Sequence, residues 1–577
     1  MLMKGKRAMA VGMAVLGAVG TGRGQDKFSA PNCTDVSQTD FTRVVILDNT
    51  KDPSLDEVTR FAVAKDGSVY YSERGGAIKV ISPTGMVTNL GKVNSFPTSS
   101  ALHKNVFNHN NEFGLVGFTI DPNFETNHWI YVVYQTPGMV DSTHLSRITV
   151  TGSKLDSASE KVILAWPTQK DYCCHTGGDI KFDNKGDLWV SVGNNTLNPK
   201  EGTDSDSASY IDTQYPDADD EGHAANSNDL RGKILRIHPL SAPGADGRLY
   251  SIPAGNLREY YASRYTAEEQ AKIRPEIYTM GHRNPYTISV DDAKGLLTWG
   301  DVGPDKGWAT EELNLVTHPG FMGWPYFAGA EGNPHYQFKS APIKDPAAPM
   351  NTGRNNTGVQ KLPPAQGAIY GYNQSAAITG PIYRYDPTQT SPKKLPGQFN
   401  GVWFTTDWKI GVTIWAMTLN SDNSRYVTRT KFYTNTNGGM VDPLQLSLGP
   451  DGIFYVLDYN NTYNFTSTGG MPSPFFTSNS PRIFRLEYNG APCAVASGIR
   501  EGAPARFQAG KASLVHLGWG SERSIEIPLG YSRFELYDLQ GRTVWSAHVD
   551  AKQDAYSHFV PVPIGIGSGL FKIRYAN

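Results

Sequence analysis

Short runs of β-branched and aromatic residues, each introduced by an Asp and a Gly, recur along the chain. Asp66-Gly67-Ser68 leads into Val69-Tyr70-Tyr71, Asp183-Asn184-Lys185-Gly186-Asp187 into Leu188-Trp189-Val190, and Asp451-Gly452 into Ile453-Phe454-Tyr455-Val456, with a looser copy at Asp292 to Trp299. In each copy the Gly suits a tight hairpin turn and the following run suits a strand. Further strand candidates flank them at Ala77 to Ser82, Gly232 to Ile237, Gly411 to Thr418 and Arg482 to Tyr488. Units this short cannot bury a face alone, so the pattern predicts radial stacking as propeller blades. Helical periodicity is confined to a short candidate at Thr266 to Lys272.

Irregular spacing between the copies calls for long interruptions. Two are evident, Glu201 to Asp229, rich in Asp, Ser and Asn, and Ser340 to Ala376, rich in Asn, Pro and Gly. They are either a roof over a central pocket or solvated excursions. The propeller is expected over residues 25–493, followed by an Ala/Gly-rich linker at 494–512. A terminal unit at 513–577 follows, with alternation over Ser524 to Tyr575, a strand then turn over Phe534 to Arg542 and a strand at Gly569 to Tyr575. This end resembles the small C-terminal β-sandwich that some Gram-negative bacteria use to sort or attach exported proteins to the cell surface. A carbohydrate-binding module is the other reading. The expected fold class is therefore all-β: a six-bladed β-propeller followed by a small β-sandwich.

Composition narrows the partners. Among 577 residues, Lys+Arg number 53 and Asp+Glu 55, a net charge of −2, so no chain-wide basic field exists to hold nucleic acid or an anionic membrane. Lys4, Lys6 and Arg7, then an apolar run from Ala8 to Gly20 and small residues to Gly24, read as a signal peptide over residues 1–24. That run is shorter than the ~20 residues needed to span a bilayer, so export to the periplasm, cell surface or medium is expected, with no transmembrane segment. The cysteines are Cys33, Cys173, Cys174 and Cys493, with no CxxC among them.

No GxSxG, P-loop, post-strand GxGxxG or HExxH motif is present, which removes serine esterase, NTPase, Rossmann and zincin chemistry. Four polar segments remain. Cys173-Cys174-His175-Thr176-Gly177-Gly178-Asp179 sets a histidine before glycines that admit close ligand approach; a structural hydrogen-bonder is the plainer reading. Gly281-His282-Arg283-Asn284-Pro285-Tyr286 pairs a guanidinium with an amide, suited to a polyoxygenated ligand or to stapling a loop. Gly303-Pro304 with Glu311-Glu312 offers the hard oxygens calcium prefers, or a solvated turn. Trp408-Lys409-Ile410-Gly411 places a cation at a turn, where a surface lysine is the plain alternative.

In their order these segments resemble the glucose/sorbosone dehydrogenase family, six-bladed propellers that oxidise sugars with pyrroloquinoline quinone (PQQ). The matching stretches are Glu112-Phe113-Gly114-Leu115-Val116-Gly117-Phe118, His175 to Gly178, Leu230 to Ile237, Gly281 to Pro285, Glu312-Leu313-Asn314 with Gly323-Trp324-Pro325, and Gly449 to Gly452. The resemblance implies His175 as general base, Arg283 as the cation that stabilises the reduced quinone, and Asn284 and Lys409 as cofactor holders. Glu112 and Tyr286 fall at cofactor-facing positions where the family shows Gln. Carbonyls of Gly303 and Pro304 would ligate a catalytic calcium, and Glu311 and Glu312 a structural one. The substrate would be a small sugar and the electrons would pass to an external acceptor. Asp442 and Leu444 stand where the family carries an Arg pair for the cofactor's carboxylates, which sets PQQ binding against a change of three charge units. The alternatives are a non-catalytic propeller that binds glycans or proteins, or a calcium-dependent lactonase or lyase. Closure of a propeller brings its ends together, so a Cys33–Cys493 disulfide is expected, with Cys173 and Cys174 as a vicinal pair.

Overall fold

The Asp-Gly punctuation has a local physical cause. Asp66 accepts the Ser68 amide at 2.9 Å while Gly67 takes φ +85°, reversing the chain between Val58–Val63 and Val69–Glu73. Asp183 accepts the amides of Lys185 and Asp187, both at 2.9 Å, and Asp451 accepts that of Ile453 at 3.1 Å, each beside a left-handed glycine. The looser copy is the hairpin between Pro285–Asp291 and Leu296–Asp301. In this computed structural model the described residues are 28, 35–96, 112–138, 142–170, 175–196, 211, 216–303, 310–330, 345–372, 376–408, 413–420, 422–434, 440, 442–460 and 481–491, with strand backbones at 333–337 and within 513–576. Residues 1–24, expected to be a signal peptide, residues 494–512, expected to be a linker, all four cysteines, Pro304 and Lys409 lie outside them.

Six antiparallel sheets follow one another as blades. Blade 1 runs from Val58 to Lys92, blade 2 from Leu115 to Trp166, blade 4 from Pro285 to Tyr372 and blade 5 from Ala377 to Thr434. Blade 3 comprises Gly177–Phe182, Leu188–Val192, Lys233–Pro239 and Ile277–Met280, and Gly320–Phe321 extends it in parallel. Blade 6 takes three strands from the end of the unit, Pro443–Leu448, Phe454–Asp458 and Arg482–Tyr488. Its fourth comes from the beginning, Phe41–Leu47, with Phe41 opposite Tyr488. The ring therefore closes by strand pairing and leaves no open edge between first and last blades.

First strands of successive blades touch around the axis. Thr59 Oγ1 donates to Leu115 O at 2.9 Å, Ile288 N–H to Asp179 at 2.9 Å, Thr379 N–H to Thr287 at 2.8 Å, and the Gln445 amide brackets Phe61 at 3.0 and 2.9 Å. Arg60, fully buried on blade 1, crosses to Asp179 on blade 3 and to the Tyr286 carbonyl on blade 4. The expected helix is Ala267–Gln270, capped by Thr266 with Glu269 reaching back.

The described parts of the two long interruptions are tied to each other, the first largely buried and the second of mixed exposure. Residues 218–227 are buried, and Asn351 and Asn355 of the second segment donate to Glu221 O at 2.8 Å and to Asp219 at 2.7 Å of the first. The unit Ala496–Asn577 holds a four-stranded sheet from Ser513–Leu517, Gly569–Ala576, Arg533–Tyr537 and Thr543–His548, and a pair Ser524–Ile527 with His558–Pro561. Among the described residues no helix is long and apolar enough to cross a membrane.

Ring closure rests on Phe41, whose ring lies 5.2 Å from Phe432, 5.5 Å from Tyr488 and 6.1 Å from Phe399. Phe41→Ala is expected to lower unfolding free energy by about 3–5 kcal/mol. Denaturant titration showing a loss below ~1 kcal/mol would mean that the closing strand does not hold the ring.

Candidate active site

The strand that opens blade 3 is preceded by a tight, left-handed turn. His175 has φ +61°, followed by Gly177 at +62° and Gly178 at +105°. The neighbouring backbone comes so near that a Cβ on Gly193 would lie 2.0 Å from the His175 carbonyl oxygen. A left-handed non-glycine residue needs surroundings that hold it. Here Asn195 N–H donates to His175 O at 3.0 Å, and Gly177 N–H donates to Asn284 Oδ1 at 3.1 Å. Glu112 accepts the Thr176 amide at 3.2 Å, and Asn194 N–H donates to Arg283 O at 2.8 Å. Glu112, His175, Arg283 and Asn284 therefore meet at one end of the ring, drawn from the entries to blades 2, 3 and 4.

The imidazole of His175 is buried, with Nδ1 2.9 Å from Asn194 Oδ1. Burial pushes its pKa well below the ordinary histidine value, and the Arg283 charge adds in the same direction; the Asn194 hydrogen bond opposes them. The ring is neutral at neutral pH. Arg283 Nη1 donates to Val302 O at 2.9 Å, and the residue borders a small cleft with Asp301, Gly303, Glu312, Trp324 and Phe327. Asp301 fixes this edge by accepting Asn284 N–H at 2.7 Å and contacting His282 Nδ1 at 3.1 Å.

Glu311 and Glu312 are consecutive on strand Glu311–Val316 and face opposite sides of the sheet. Glu311 accepts the amides of Gly303 at 3.2 Å and Ala377 at 3.0 Å, whereas Glu312 accepts Gly329 N–H at 2.8 Å and the Asn314 amide at 3.2 Å. Burial raises the pKa of both, and Asp301 raises that of Glu312 further. Tyr286 is half-buried, under the Arg60 guanidinium at 4.4 Å from its ring. It packs with Trp408 against the apolar cluster that contains Leu444. Asp442 is buried, its N–H donating to Asp458 at 2.9 Å.

For a planar, oxygen-rich cofactor the reactive end fits. Thr176 Oγ1 is buried beside His175 with no hydrogen-bond partner among the described residues, next to a neutral base and a guanidinium. Asp442 and Leu444 themselves offer an anion and an apolar side chain, not cations. Asn194 and Asp220, which back His175, were not legible as site residues; the only signal was a polar Gly193-Asn194-Asn195 immediately after a strand.

The family model for glucose/sorbosone dehydrogenases matches residues 55–376. Quinoprotein glucose dehydrogenase B of Acinetobacter calcoaceticus is 23% identical over 312 residues, 52% of this chain and 55% of that protein. The HIPL1 protein of Arabidopsis thaliana is 29% identical over 211 residues, 32% of this chain and 26% of that protein. The chain thus spans about half the length of the first relative and a quarter of the second. A solved glucose dehydrogenase, 18% identical, covers 78% of this chain and 100% of its own with a TM-score of 0.50, a likeness of fold. The matched segment carries blades 1 to 4 and His175, Arg283 and Asn284 in order, and the chain belongs to the glucose/sorbosone dehydrogenase family.

Proposed function

We propose that this chain is an exported, quinone-dependent sugar dehydrogenase that oxidises the anomeric hydroxyl of an aldose to the lactone. The observation that carries the reading is a neutral, buried His175 beside Arg283, with Nδ1 engaged by Asn194 so that Nε2 is the nitrogen left to accept a proton. The O–H proton passes to Nε2, hydride leaves C1 with its electron pair, and the C1–O bond becomes a carbonyl. A bound PQQ would supply the two-electron acceptor, to be reoxidised by an external one. Arg283 would stabilise developing negative charge, and Asn284, Lys409, Glu112 and Tyr286 would border the cofactor. Carbonyls of Gly303 and Pro304 would hold a catalytic calcium, while Glu311 and Glu312, on opposite faces, would serve a structural ion singly. The unit after residue 496 would attach the protein to a cell surface. The missing cations at Asp442 and Leu444 favour one alternative, a propeller that binds glycans or proteins without catalysis.

His175→Ala is expected to lower kcat about 10²- to 10⁴-fold in dye reduction with the fold retained. Because the folded pKa of His175 is depressed, the imidazole stays neutral as pH falls past 6.5, so the acid limb of kcat/KM is expected well below that value. An acid limb at or above 6.5 would contradict the assignment. Unchanged activity in His175→Ala, together with no PQQ binding in excess calcium, would favour the non-catalytic propeller.

Asp442→Asn removes one buried carboxylate at a position where the family carries a cofactor-binding cation. It is expected to tighten PQQ binding by roughly tenfold, about 1.4 kcal/mol, in an absorbance titration. An unchanged affinity would place Asp442 away from the bound quinone.

A further inference from the structure

Behind His175 runs a relay of two side chains. Asn194 Oδ1 lies 2.9 Å from His175 Nδ1, and Asn194 Nδ2 lies 2.8 Å from Asp220 Oδ2. An asparagine amide can sit either way round, and the choice decides which proton the imidazole carries. Here partners of single polarity make that choice. The Thr196 backbone N–H, which can only donate, reaches Asn194 Oδ1 at 3.4 Å. The Trp324 indole N–H, also a donor only, meets Asp220 Oδ2 at 2.6 Å, and the Thr196 hydroxyl donates to Asp220 Oδ1. Asp220 is thus an acceptor, and the Asn194 atom turned to it must be the NH2. The carbonyl oxygen is then left for His175, whose Nδ1 must bear the proton. His175, Asn194, Thr196, Asp220 and Trp324 are all buried, so water does not compete for these positions.

We infer that Asp220 is a positioning residue for the base: acting through Asn194, it fixes the Nδ1-protonated tautomer of His175 and so keeps Nε2 as the proton acceptor. The inference rests on the reading of His175 as the base of sugar oxidation. A flipped amide would present its NH2 to Nδ1, transfer the lone pair to that nitrogen and leave Nε2 protonated, unable to take the substrate proton. Asp220 comes from the first long loop, 24 residues beyond Thr196, so the loop orients the base as well as covering the blade.

The test reads the tautomer directly. Full-length protein with ¹⁵N-labelled histidine is compared at about pH 7.5, with His175 assigned through His175→Gln. Wild type is expected to show protonated Nδ1 and unprotonated Nε2; protonated Nε2 in wild type overturns the inference whether or not any variant folds. Asp220→Ala is expected to populate both tautomers and to lower kcat about tenfold to hundredfold with KM changed by no more than about twofold. Asp220→Asn still offers an oxygen to Trp324 and Asn194 and is expected to keep the wild-type tautomer. A natively folded Asp220→Ala that retains a single Nδ1-protonated tautomer overturns the inference. Since the spectra need no substrate, expected tautomers in a protein that oxidises no sugar would sink the proposed function and leave the positioning role of Asp220 standing.

Discussion

A single cation spans the axis of the ring. Arg60 is 0% exposed and Asp179 1%, and stripping water from both costs several kcal/mol per ion unless their hydrogen bonds are replaced. Most are replaced by partners from three blades, although Arg60 Nε has an ion-pair contact and no hydrogen-bond partner among the described residues. Arg60 Nε lies 3.4 Å from Asp179, Nη1 donates to Thr59 O at 2.9 Å and Nη2 to Tyr286 O at 2.8 Å, while the Tyr286 ring lies under the guanidinium. Asp179 also takes Lys181 Nζ at 2.8 Å and the Ile288 amide at 2.9 Å. Removing either partner would leave an uncompensated buried charge, so the first strands of blades 1, 3 and 4 are held in one register. His175 stands four residues before Asp179 and Asn284 two before Tyr286, which ties the site to this anchor.

Above that floor the fold had to bury Asp219, Asp220 and Glu221 in one loop. Each carboxylate meets donors from another part of the chain: Asn355 for Asp219, Asn194 and Trp324 for Asp220, and the Tyr326 hydroxyl at 2.7 Å for Glu221. Lys233 holds the loop's backbone, its ammonium donating to the carbonyls of His223, Ala224 and Arg231 at 2.9, 2.9 and 2.6 Å. Three acceptors match the three N–H donors of the charged form, while burial lowers the Lys233 pKa to about 7. A loop whose composition reads as solvated is thereby converted into a wall.

The difference between what could and could not be read from sequence follows from range. Asp66, Asp183 and Asp451 act on amides two or more residues ahead in the same turn, so their spacing announces a hairpin. Strand patterning runs from Phe41 to Tyr488, inside the span of residues 25–493 expected for the propeller. His175, Arg283 and Asn284 were legible because they stand beside glycines in a family order. Asp220 was not, because its role depends on an amide 26 residues away and an indole 104 residues away. Adjacent Glu311 and Glu312 suggested one ion site, but adjacency on a strand separates them to two faces, a geometry that composition alone does not express.

Charge at the site is a balance of opposed shifts. The His175 pKa is lowered from 6.5, so below that pH the unfolded chain binds a proton that the native ring refuses, and stability falls as pH falls. Asp220 and Asp219 are raised by burial from 3.8 to about 6 and about 7, so between those values the native chain holds protons that the unfolded one releases, and stability falls as pH rises. The two tilts oppose each other between about pH 4 and 6.5, with Glu311 and Glu312, also raised by burial, on the side of the aspartates. The orientation of the side chains behind His175 has no such cancellation. Trp324 and the Thr196 amide, which can only donate, hold Asp220 Oδ2 and Asn194 Oδ1 as acceptors, so geometry turns the Asn194 amide one way round. The burial that makes the acidic loop costly to fold is therefore also what keeps these partners in fixed places around His175.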